Sequence, residues 1–213
     1  MRIGVYGSSL DPISNGHLWS ANTIAQREEL DKIIFLPSSA KRVDKDIKIN
    51  DIHRIEMLKL AIEDTPLFDY DTYEMNAIAG KQYSFFTMEH LKQKYPNDEL
   101  FFLMGADLLA DLPKWQMGKQ LIETNNFIVI ERNNVLMHKV IAENPLLRKH
   151  EKRFTLIYKG LVNEISSSYI RDEFAYGGSP RYLMPEKVYN YIVKHKLYLN
   201  GDKNDNGNSK KYY

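Results

Sequence analysis

The amino-acid sequence predicts an α/β fold built on a doubly wound parallel sheet. Short apolar runs alternate along the chain with longer stretches whose apolar residues recur at helical spacing. Parallel strands need long crossover connections, usually helices, so this alternation favours a parallel sheet covered by helices on both faces. Ligands bind such sheets at the carboxyl ends of the strands, near the point where the strand order reverses. The loops after Tyr6, Leu36 and Met104 are therefore the expected ligand-binding loops.

The predicted strands are short runs rich in β-branched and aromatic residues. Gly7 closes the first strand, and Pro37 stops the second because proline cannot continue a hydrogen-bond ladder. The predicted strands are Met1–Tyr6, Lys32–Pro37, Phe68–Tyr73, Glu99–Met104, NFIVIE at 126–131 and RFTLIY at 153–158.

Helices are predicted where apolar residues share one face. Leu18, Ala21 and Ala25 have this spacing directly after the first strand. Further helices are expected over Phe85–Tyr95 and Met117–Glu123.

Two more helices are predicted from their start signals. Asp51 is expected to cap one of them, and Pro185 is expected to begin the last one. Their expected inward positions are Ile55, Leu58 and Ile62 in the first helix and Val188, Ile192 and Val193 in the last.

Composition and charge narrow the class of protein. The 213 residues carry 29 basic and 28 acidic side chains, a net charge of +1 that gives no general attraction to nucleic acid or an anionic membrane. The chain has no cysteine, which excludes disulfides and thiolate metal sites, and its histidines lack metal-ligand spacing. The opening apolar stretch is too short for a signal peptide, and no run could span a membrane. We therefore expect a soluble cytoplasmic protein whose partners are small molecules. The sequence does not fix its oligomeric state, and a homo-oligomer is one of the alternatives.

The segment GSSLDPISNGH at 7–17 follows the first predicted strand and opens the first helix. Gly7 and the serines allow close approach of a ligand to backbone amides, and the positive end of the helix points at the same place. His17 lies in the first helical turn, within reach of a bound phosphate. The segment therefore predicts a phosphate-binding loop, with an ordinary capped turn and a surface histidine as the alternative.

Two other strand ends carry candidate ligand-binding residues. Lys41 and Arg42 lie on the polar loop after the second strand, where they could hold a phosphate or simply face solvent. Asp107 follows the strand FFLM, where a carboxylate can accept hydrogen bonds from ribose hydroxyls or cap a helix beginning at Leu108.

Two motifs in the correct order carry a resemblance to a known family. GSSLDPISNGH resembles the GxxFDPxHxGH signature of the nucleotidyltransferases, and ISSSYIR at 165–171 resembles their ISSTxIR box. Segments between them, among them GKQYSFFTMEHL and FLMGADLLADLPKW, are similar to bacterial nicotinate-nucleotide adenylyltransferases. The resemblance covers about residues 1–198 and implies a Rossmann-like single nucleotidyltransferase domain with a small C-terminal helical part. The polar segment 199–213 is expected to be a disordered tail.

The resemblance implies transfer of the adenylyl group of ATP, supplied with Mg²⁺, to a pyridine mononucleotide, expected to be nicotinate mononucleotide, giving deamido-NAD and pyrophosphate. It implies that His17 and Arg171 are catalytic, and that Trp115 stacks on the pyridine ring. The residues that it assigns to ATP are Gly7, Ser8, Ser9, Ser14, Gly16, His17, Lys41, Gly105, Asp107, Ile165, Ser166, Ser167, Ser168 and Arg171. Those that it assigns to the mononucleotide are Tyr83, Ser84, Trp115 and Arg132, and it assigns no residue to a metal.

Two departures from the family pattern leave alternatives open. Ser14 replaces the first histidine of the signature, and Gln82 replaces a serine beside Tyr83. A hydroxyl at position 14 also occurs in phosphopantetheine adenylyltransferases, which makes them the second candidate. The third is a nucleotide-binding sensor without turnover. The choice between nicotinate and nicotinamide mononucleotide stays open, because it depends on a few hydrogen bonds.

Overall fold

The computed structural model describes residues 1–42, 47–159 and 165–199. Its strands are β1 Arg2–Ser8, β2 Lys32–Pro37, β3 Phe68–Tyr70, β4 Glu99–Gly105, β5 Asn126–Ile130 and β6 Phe154–Ile157. Its α-helices are α1 Asn15–Arg27, α2 Asp51–Ile62, α3 Tyr73–Asn76, α4 Ser84–Lys94, α5 Gly118–Thr124, α6 Met137–Glu143, α7 Pro145–Lys149, α8 Ser167–Ala175 and α9 Glu186–His195. Short 3₁₀ turns cover Ala106–Leu108, Leu112–Lys114, Glu151–Arg153 and Arg181–Leu183.

The six strands form one sheet in the order β3-β2-β1-β4-β5-β6, and every neighbouring pair is parallel. The chain first winds outward from β1 to β3 and then crosses back to β4 on the other side of β1. The strand order therefore reverses between β1 and β4, and a crevice at their carboxyl ends is the expected ligand site. The predicted doubly wound parallel sheet is confirmed.

Side chains alternate between the two faces of the sheet, as the period of a strand requires. In β4, Phe101 and Leu103 enter one core, while Phe102 and Met104 enter the other. The first core packs beneath α1, α2, α8 and α9, and the second beneath α4, α5, α6 and α7. Both faces are thus covered, so the carboxyl edge of the sheet is the place left for a ligand.

Several predicted element boundaries differ from the structure. The strand from Phe68 ends at Tyr70, because the Asp71 side chain accepts a hydrogen bond from the Tyr73 amide and turns the chain into α3. Asn50, not Asp51, caps α2, with its side chain accepting from the Ile52 amide. Val193, predicted to face inward, is 49% exposed at the outer edge of α9.

Helices α6 and α7 were missed because each is short, and a short apolar pattern fits a helix and a loop equally well. The predicted tail lies outside the described residues apart from Leu199, so it stays a prediction. In the part of the chain that the structure describes, no helix is long and apolar enough to cross a membrane.

Candidate active site

A cavity of about 360 Å³ opens at the carboxyl ends of β1, β4 and β5, where the parallel sheet was expected to bind a ligand. Its floor comes from Tyr6, Met104 and Ile130. We call it the first cavity. The residues assigned to ATP that line it are Gly16, His17, Gly105, Ile165, Ser166 and Ser167. It brings together the signature loop and the ISSSYIR box, which are about 150 residues apart in sequence.

His17 is held in the first turn of α1 by Ser14, the residue that precedes the helix. The Ser14 amide donates to His17 Nδ1 at 3.1 Å, and the Ser14 hydroxyl lies 2.8 Å from the same nitrogen. Because an amide can only donate, Nδ1 accepts and the ring proton is on Nε2, which lies 3.4 Å from Ser8 Oγ. The hydroxyl that replaces the first histidine of the signature thus orients the second one.

The imidazole of His17 is neutral at physiological pH. Burial, together with the positive charge of Arg132, lowers the pKa of His17 from the ordinary value of 6.5 to about 4. A neutral ring with its proton on Nε2 can donate one hydrogen bond to a bound phosphate without carrying a positive charge itself.

The ISSSYIR box joins the signature loop through side-chain hydrogen bonds. Ser166 caps α8 by accepting from the Tyr169 amide, and Ser167 Oγ donates to the Pro12 carbonyl at 2.8 Å. Arg171 donates to the Asp11 carbonyl at 2.7 Å and to Ser168 Oγ at 3.2 Å. These bonds place Arg171 against the backbone of the loop, and Ser168 on the exposed side of α8.

Gly105 and Arg132 line one corner of the first cavity, and Asp107 lies beside both of them. A Cβ at Gly105 would collide with Asp107 Oδ1 as it stands, so a larger residue there would push this carboxylate aside. Arg132 Nη1 lies 4.0 Å from Asp107 Oδ2, and Arg132 lines the first cavity. Asp107 lies inside the 3₁₀ turn Ala106–Leu108, so the alternative of a helix cap is wrong.

A second cavity of about 420 Å³ lies at the carboxyl ends of β1 and β2, beside the first 3₁₀ turns after β4. It is lined by the predicted mononucleotide residues Tyr83, Ser84 and Trp115, together with Gly7, which was assigned to ATP. The Trp115 indole is packed edge-on against Phe102, with ring centroids 6.2 Å apart. This packing fixes one edge of the indole at the cavity wall.

Arg42 and Glu74 form a charged pair in the wall of the second cavity. Arg42 Nη1 lies 3.5 Å from Glu74 Oε2, and their side chains are 12% and 4% exposed. The Arg42 guanidinium also lies 5.4 Å from the centre of the Tyr83 ring, a cation–π contact. Arg42, rather than the predicted Lys41, therefore lines this cavity, and Lys41 is exposed.

Glu74 is a cavity residue that sequence reasoning missed. It lies in α3, a four-residue helix without apolar periodicity, so no pattern marked it. Lys159 and Asn133 in the first cavity were missed for a similar reason, because both lie in turns. Their positive φ angles, 53° each, are the one local feature they share.

Arg54 joins the backbones of the two loops that border the cavities. Its side chain is fully buried in α2 and donates to the Ser9 carbonyl and the Ser38 carbonyl, each at 2.6 Å. Asp51 provides the counter-charge at 2.5 Å. A fixed, fork-shaped guanidinium suits this task, because it can hold several oxygens at once.

A parallel sheet with a histidine-bearing helix start and two cavities at its switch point defines a nucleotide-binding protein of the α/β class. Comparison with known proteins makes the assignment specific. Residues 5–173 match the cytidylyltransferase-like family model. The chain is 37% identical over 198 residues to nicotinate-nucleotide adenylyltransferase from Bacillus subtilis, covering 92% of this chain and 98% of that protein. It is 33% identical over 201 residues to a probable nicotinate-nucleotide adenylyltransferase from Clostridium tetani, covering 91% and 97%.

Solved structures support the same fold. The structure of Plasmodium falciparum nicotinic acid mononucleotide adenylyltransferase complexed with NaAD matches with a TM-score of 0.76 and 23% identity, covering 92% of this chain and 97% of that one. The chain belongs to the cytidylyltransferase-like family and, within it, to the nicotinate-nucleotide adenylyltransferases. The resemblance inferred from the two motifs is confirmed.

Proposed function

We propose that the protein transfers the adenylyl group of ATP to nicotinate mononucleotide, giving deamido-NAD and pyrophosphate. The relatives named above support this reaction, and one observation on this chain supports it directly. The histidine of the signature loop and the tryptophan of the LPKW segment line two cavities at one edge of the sheet. One cavity can therefore hold the nucleotide that is attacked, and the other the nucleotide that attacks.

The proposed chemistry is a single displacement at phosphorus. A 5′-phosphate oxygen of the mononucleotide forms a bond to the α-phosphorus of ATP, and the bond from that phosphorus to the bridging oxygen of pyrophosphate breaks. The protein supplies alignment and charge stabilisation and forms no covalent bond to either substrate.

His17 is proposed to donate its Nε2 proton in a hydrogen bond to an α-phosphate oxygen. Negative charge on that oxygen grows toward the transition state, so the bond strengthens when it is most needed. Ser14 holds the ring in the required tautomer through the contacts to Nδ1. Arg171 is proposed to add positive charge from behind the signature loop.

The other residues assigned to ATP are proposed to bind it without entering the reaction. Amides at the start of α8 and the hydroxyls of Ser166 and Ser168 are proposed to face anionic phosphates, while the Ser167 hydroxyl stays on the Pro12 carbonyl. Asp107 is proposed to accept from a ribose hydroxyl. The residues in this role are Gly7, Ser8, Ser9, Gly16, Lys41, Gly105, Ile165, Ser166, Ser167 and Ser168.

The second cavity is proposed to hold the pyridine mononucleotide. Trp115 stacks on the pyridine ring, and Tyr83 and Ser84 border it. Arg132 was assigned to this substrate as well, but it lines the first cavity, so we propose that it contacts the phosphate where the two substrates meet.

Magnesium is proposed to enter as part of the donor substrate, Mg·ATP. In the ranges that the structure describes, no group of three or more His, Cys, Asp or Glu side chains is placed to hold a metal ion. Mg²⁺ commonly keeps several of its waters and binds through the phosphates of a substrate with only one or two carboxylates, so Mg·ATP does not require a protein cage for the metal ion. Because ATP is an intracellular metabolite, the proposal includes a cytoplasmic location.

The test is pyrophosphate release by the purified protein with Mg·ATP and one of three acceptors. We expect turnover with nicotinate mononucleotide to exceed turnover with nicotinamide mononucleotide and with phosphopantetheine. Faster turnover of phosphopantetheine would overturn the assignment. ATP binding without turnover of any acceptor would instead identify a nucleotide sensor.

A further inference from the structure

The carboxylate of Asp11, in the middle of the signature loop, is fully buried and collects contacts from distant parts of the chain. Its Oδ2 accepts from the Lys48 amide at 2.7 Å and lies 3.9 Å from Arg171 Nη1. Its Oδ1 accepts from the Tyr198 hydroxyl at 2.6 Å. Burying a carboxylate costs free energy unless its oxygens have hydrogen-bond or ion-pair partners. Each of these contacts therefore helps to hold the loop in one position.

Tyr198 reaches this carboxylate from the C-terminal end of the described chain, 187 residues away in sequence. Its ring stacks on Phe174 of α8, with centroids 6.3 Å apart and an interplanar angle of 24°. Burial, followed by the charge of Asp11, raises the pKa of Tyr198 far above its usual range. Burial and the neighbouring carboxylate both favour the protonated phenol, which donates its hydrogen bond to Asp11.

The backbone after α9 adopts an unusual path that delivers this side chain. Lys196 and Tyr198 both have left-handed φ angles, 53° and 61°, which side chains larger than glycine rarely adopt. The Leu197 amide returns to the Ile192 carbonyl at 3.0 Å and turns the chain back toward the sheet. The left-handed Lys196 is a common way for a helix to end, so only the left-handed Tyr198 goes beyond what ending α9 requires, and its contacts with Asp11 and Phe174 hold it there.

The loop that Asp11 anchors also carries the groups of the first cavity. The carbonyl of Asp11 accepts from Arg171, and the next carbonyl, that of Pro12, accepts from Ser167, which lines the cavity. Two residues further on, Ser14 orients His17. A shift of the Asp11 carboxylate would therefore displace both Ser167 and His17 relative to a bound phosphate.

We propose that Tyr198 is a positioning residue for catalysis: its hydroxyl holds the Asp11 carboxylate and, through it, the signature loop that presents His17. The expected effect on kcat rests on the proposed function, whereas the expected effect on the mobility of the signature loop does not. The ring packs on Phe174 and the hydroxyl binds Asp11, so a substitution that removes only the hydroxyl separates packing from positioning.

The experiment compares Tyr198→Phe with Tyr189→Phe. Tyr189 is a matched control, because its ring also stacks on Phe174, at 5.9 Å, while its hydroxyl pairs with Ser179 instead of Asp11. Both variants are checked for folding by circular dichroism. The first readout is kcat and KM for ATP and for nicotinate mononucleotide. The second is amide hydrogen exchange over residues 8–17 of the protein without substrate.

For Tyr198→Phe we expect kcat to fall about tenfold, because small displacements of catalytic groups reduce rates strongly. The KM for nicotinate mononucleotide should change by less than about threefold, because the Asp11 carboxylate does not contact the named walls of the second cavity. Exchange over residues 8–17 should rise about tenfold, as expected when a buried hydrogen bond that holds a loop is lost. Tyr189→Phe should leave all three values near those of the unchanged protein.

A Tyr198→Phe variant that matches Tyr189→Phe in kcat and in exchange would overturn the proposal, even if its melting temperature is lower. If the unchanged protein does not turn over nicotinate mononucleotide, the proposed function fails by itself. The exchange measurement then decides the role of Tyr198, because it needs no substrate.

Discussion

The two cavities at the carboxyl edge of the sheet are built in different ways. The first includes two contiguous segments, the start of α1 after the signature loop and the ISSSYIR box at the start of α8, beside the ends of β1, β4 and β5 and the turn after β5. The second is formed by side chains from several separate segments, with Arg42, Glu74, Tyr83 and Trp115 each on a different piece of chain. The first thus combines small residues at two helix starts with the charged side chains of Arg132 and Lys159, whereas the second is lined mainly by large side chains.

This difference has a physical reason. A phosphate can be bound by amides, hydroxyls and a helix start, all of which one short segment can provide. A flat ring needs a flat apolar surface, and such a surface is assembled from large side chains that pack on each other. We therefore expect substitutions in the first cavity to affect turnover, and substitutions in the second to affect acceptor binding.

The largest expected effect tests what the two cavities share. Arg54→Met removes the buried guanidinium that joins the Ser9 and Ser38 carbonyls, leaving both without that partner. We expect the free energy of unfolding to fall by about 3–5 kcal/mol, as when one member of a buried pair is removed. Urea denaturation measures it.

The control for this prediction is Arg27→Met. Arg27 also donates to two backbone carbonyls, those of Tyr158 and Lys159, but it is exposed. Its substitution should change the unfolding free energy by about 0.5 kcal/mol or less. Equal losses in the two variants would show that the burial of Arg54 is not what matters.

The second prediction separates the first cavity from the second by kinetics. His17→Ala should lower kcat by about 10²–10³, the typical effect of losing one donor to a charged transition state, with little change in the KM for ATP. Ser14→Ala should lower kcat less, because it removes a group that orients the imidazole but keeps the imidazole itself. Steady-state kinetics on both folded variants measures the effect. A folded His17→Ala variant within a few-fold of the unchanged kcat would refute the role.

The third prediction concerns the second cavity. Trp115→Ala should weaken nicotinate mononucleotide binding by roughly 1–3 kcal/mol, by analogy with the stacking of bases on aromatic side chains, and should leave ATP binding nearly unchanged. Calorimetric titration of each ligand measures both. The matched control is Trp19→Ala, which removes the other tryptophan, 46% exposed on α1. An equal loss of ATP affinity in Trp115→Ala would make Trp115 a packing residue only.

The smallest expected effect is a pH dependence that belongs to the first cavity alone. The folded pKa of His17 is about 4, below the ordinary value of 6.5, so folding favours the neutral ring. This contribution to stability is complete above pH 6.5 and is lost as the pH falls toward 4.

Between pH 7 and pH 5 the loss should reach about 1–2 kcal/mol, since each unit of difference in pKa corresponds to about 1.4 kcal/mol and His17 is partly open to the cavity. Urea denaturation at both pH values is the measurement. His17→Gln should show a smaller decrease over the same interval. An identical decrease would mean that burial of His17 does not perturb its titration.

The parallel direction of the strands could be read from the sequence, and so could part of the first cavity, whereas the order of the strands in the sheet was not predicted. Buried parallel strands are continuous apolar runs, and a phosphate-binding loop is one segment with fixed requirements for glycine, hydroxyl and helix start. These local requirements lie in consecutive residues and mark Gly16 and His17, whereas Ser166 was assigned from the resemblance of the ISSSYIR box, and all three line the first cavity.

Contacts between distant segments could not be read in this way. The position of Arg42 rather than Lys41 in the cavity wall depends on where the loop meets Glu74 and Tyr83, and the placement of Arg132 depends on Asp107. The bond from Tyr198 to Asp11 joins residues that no local pattern relates. Periodicity and motifs reflect interactions between residues that are close in sequence. The partners of a buried charge are instead set by how the sheet and its helices pack together.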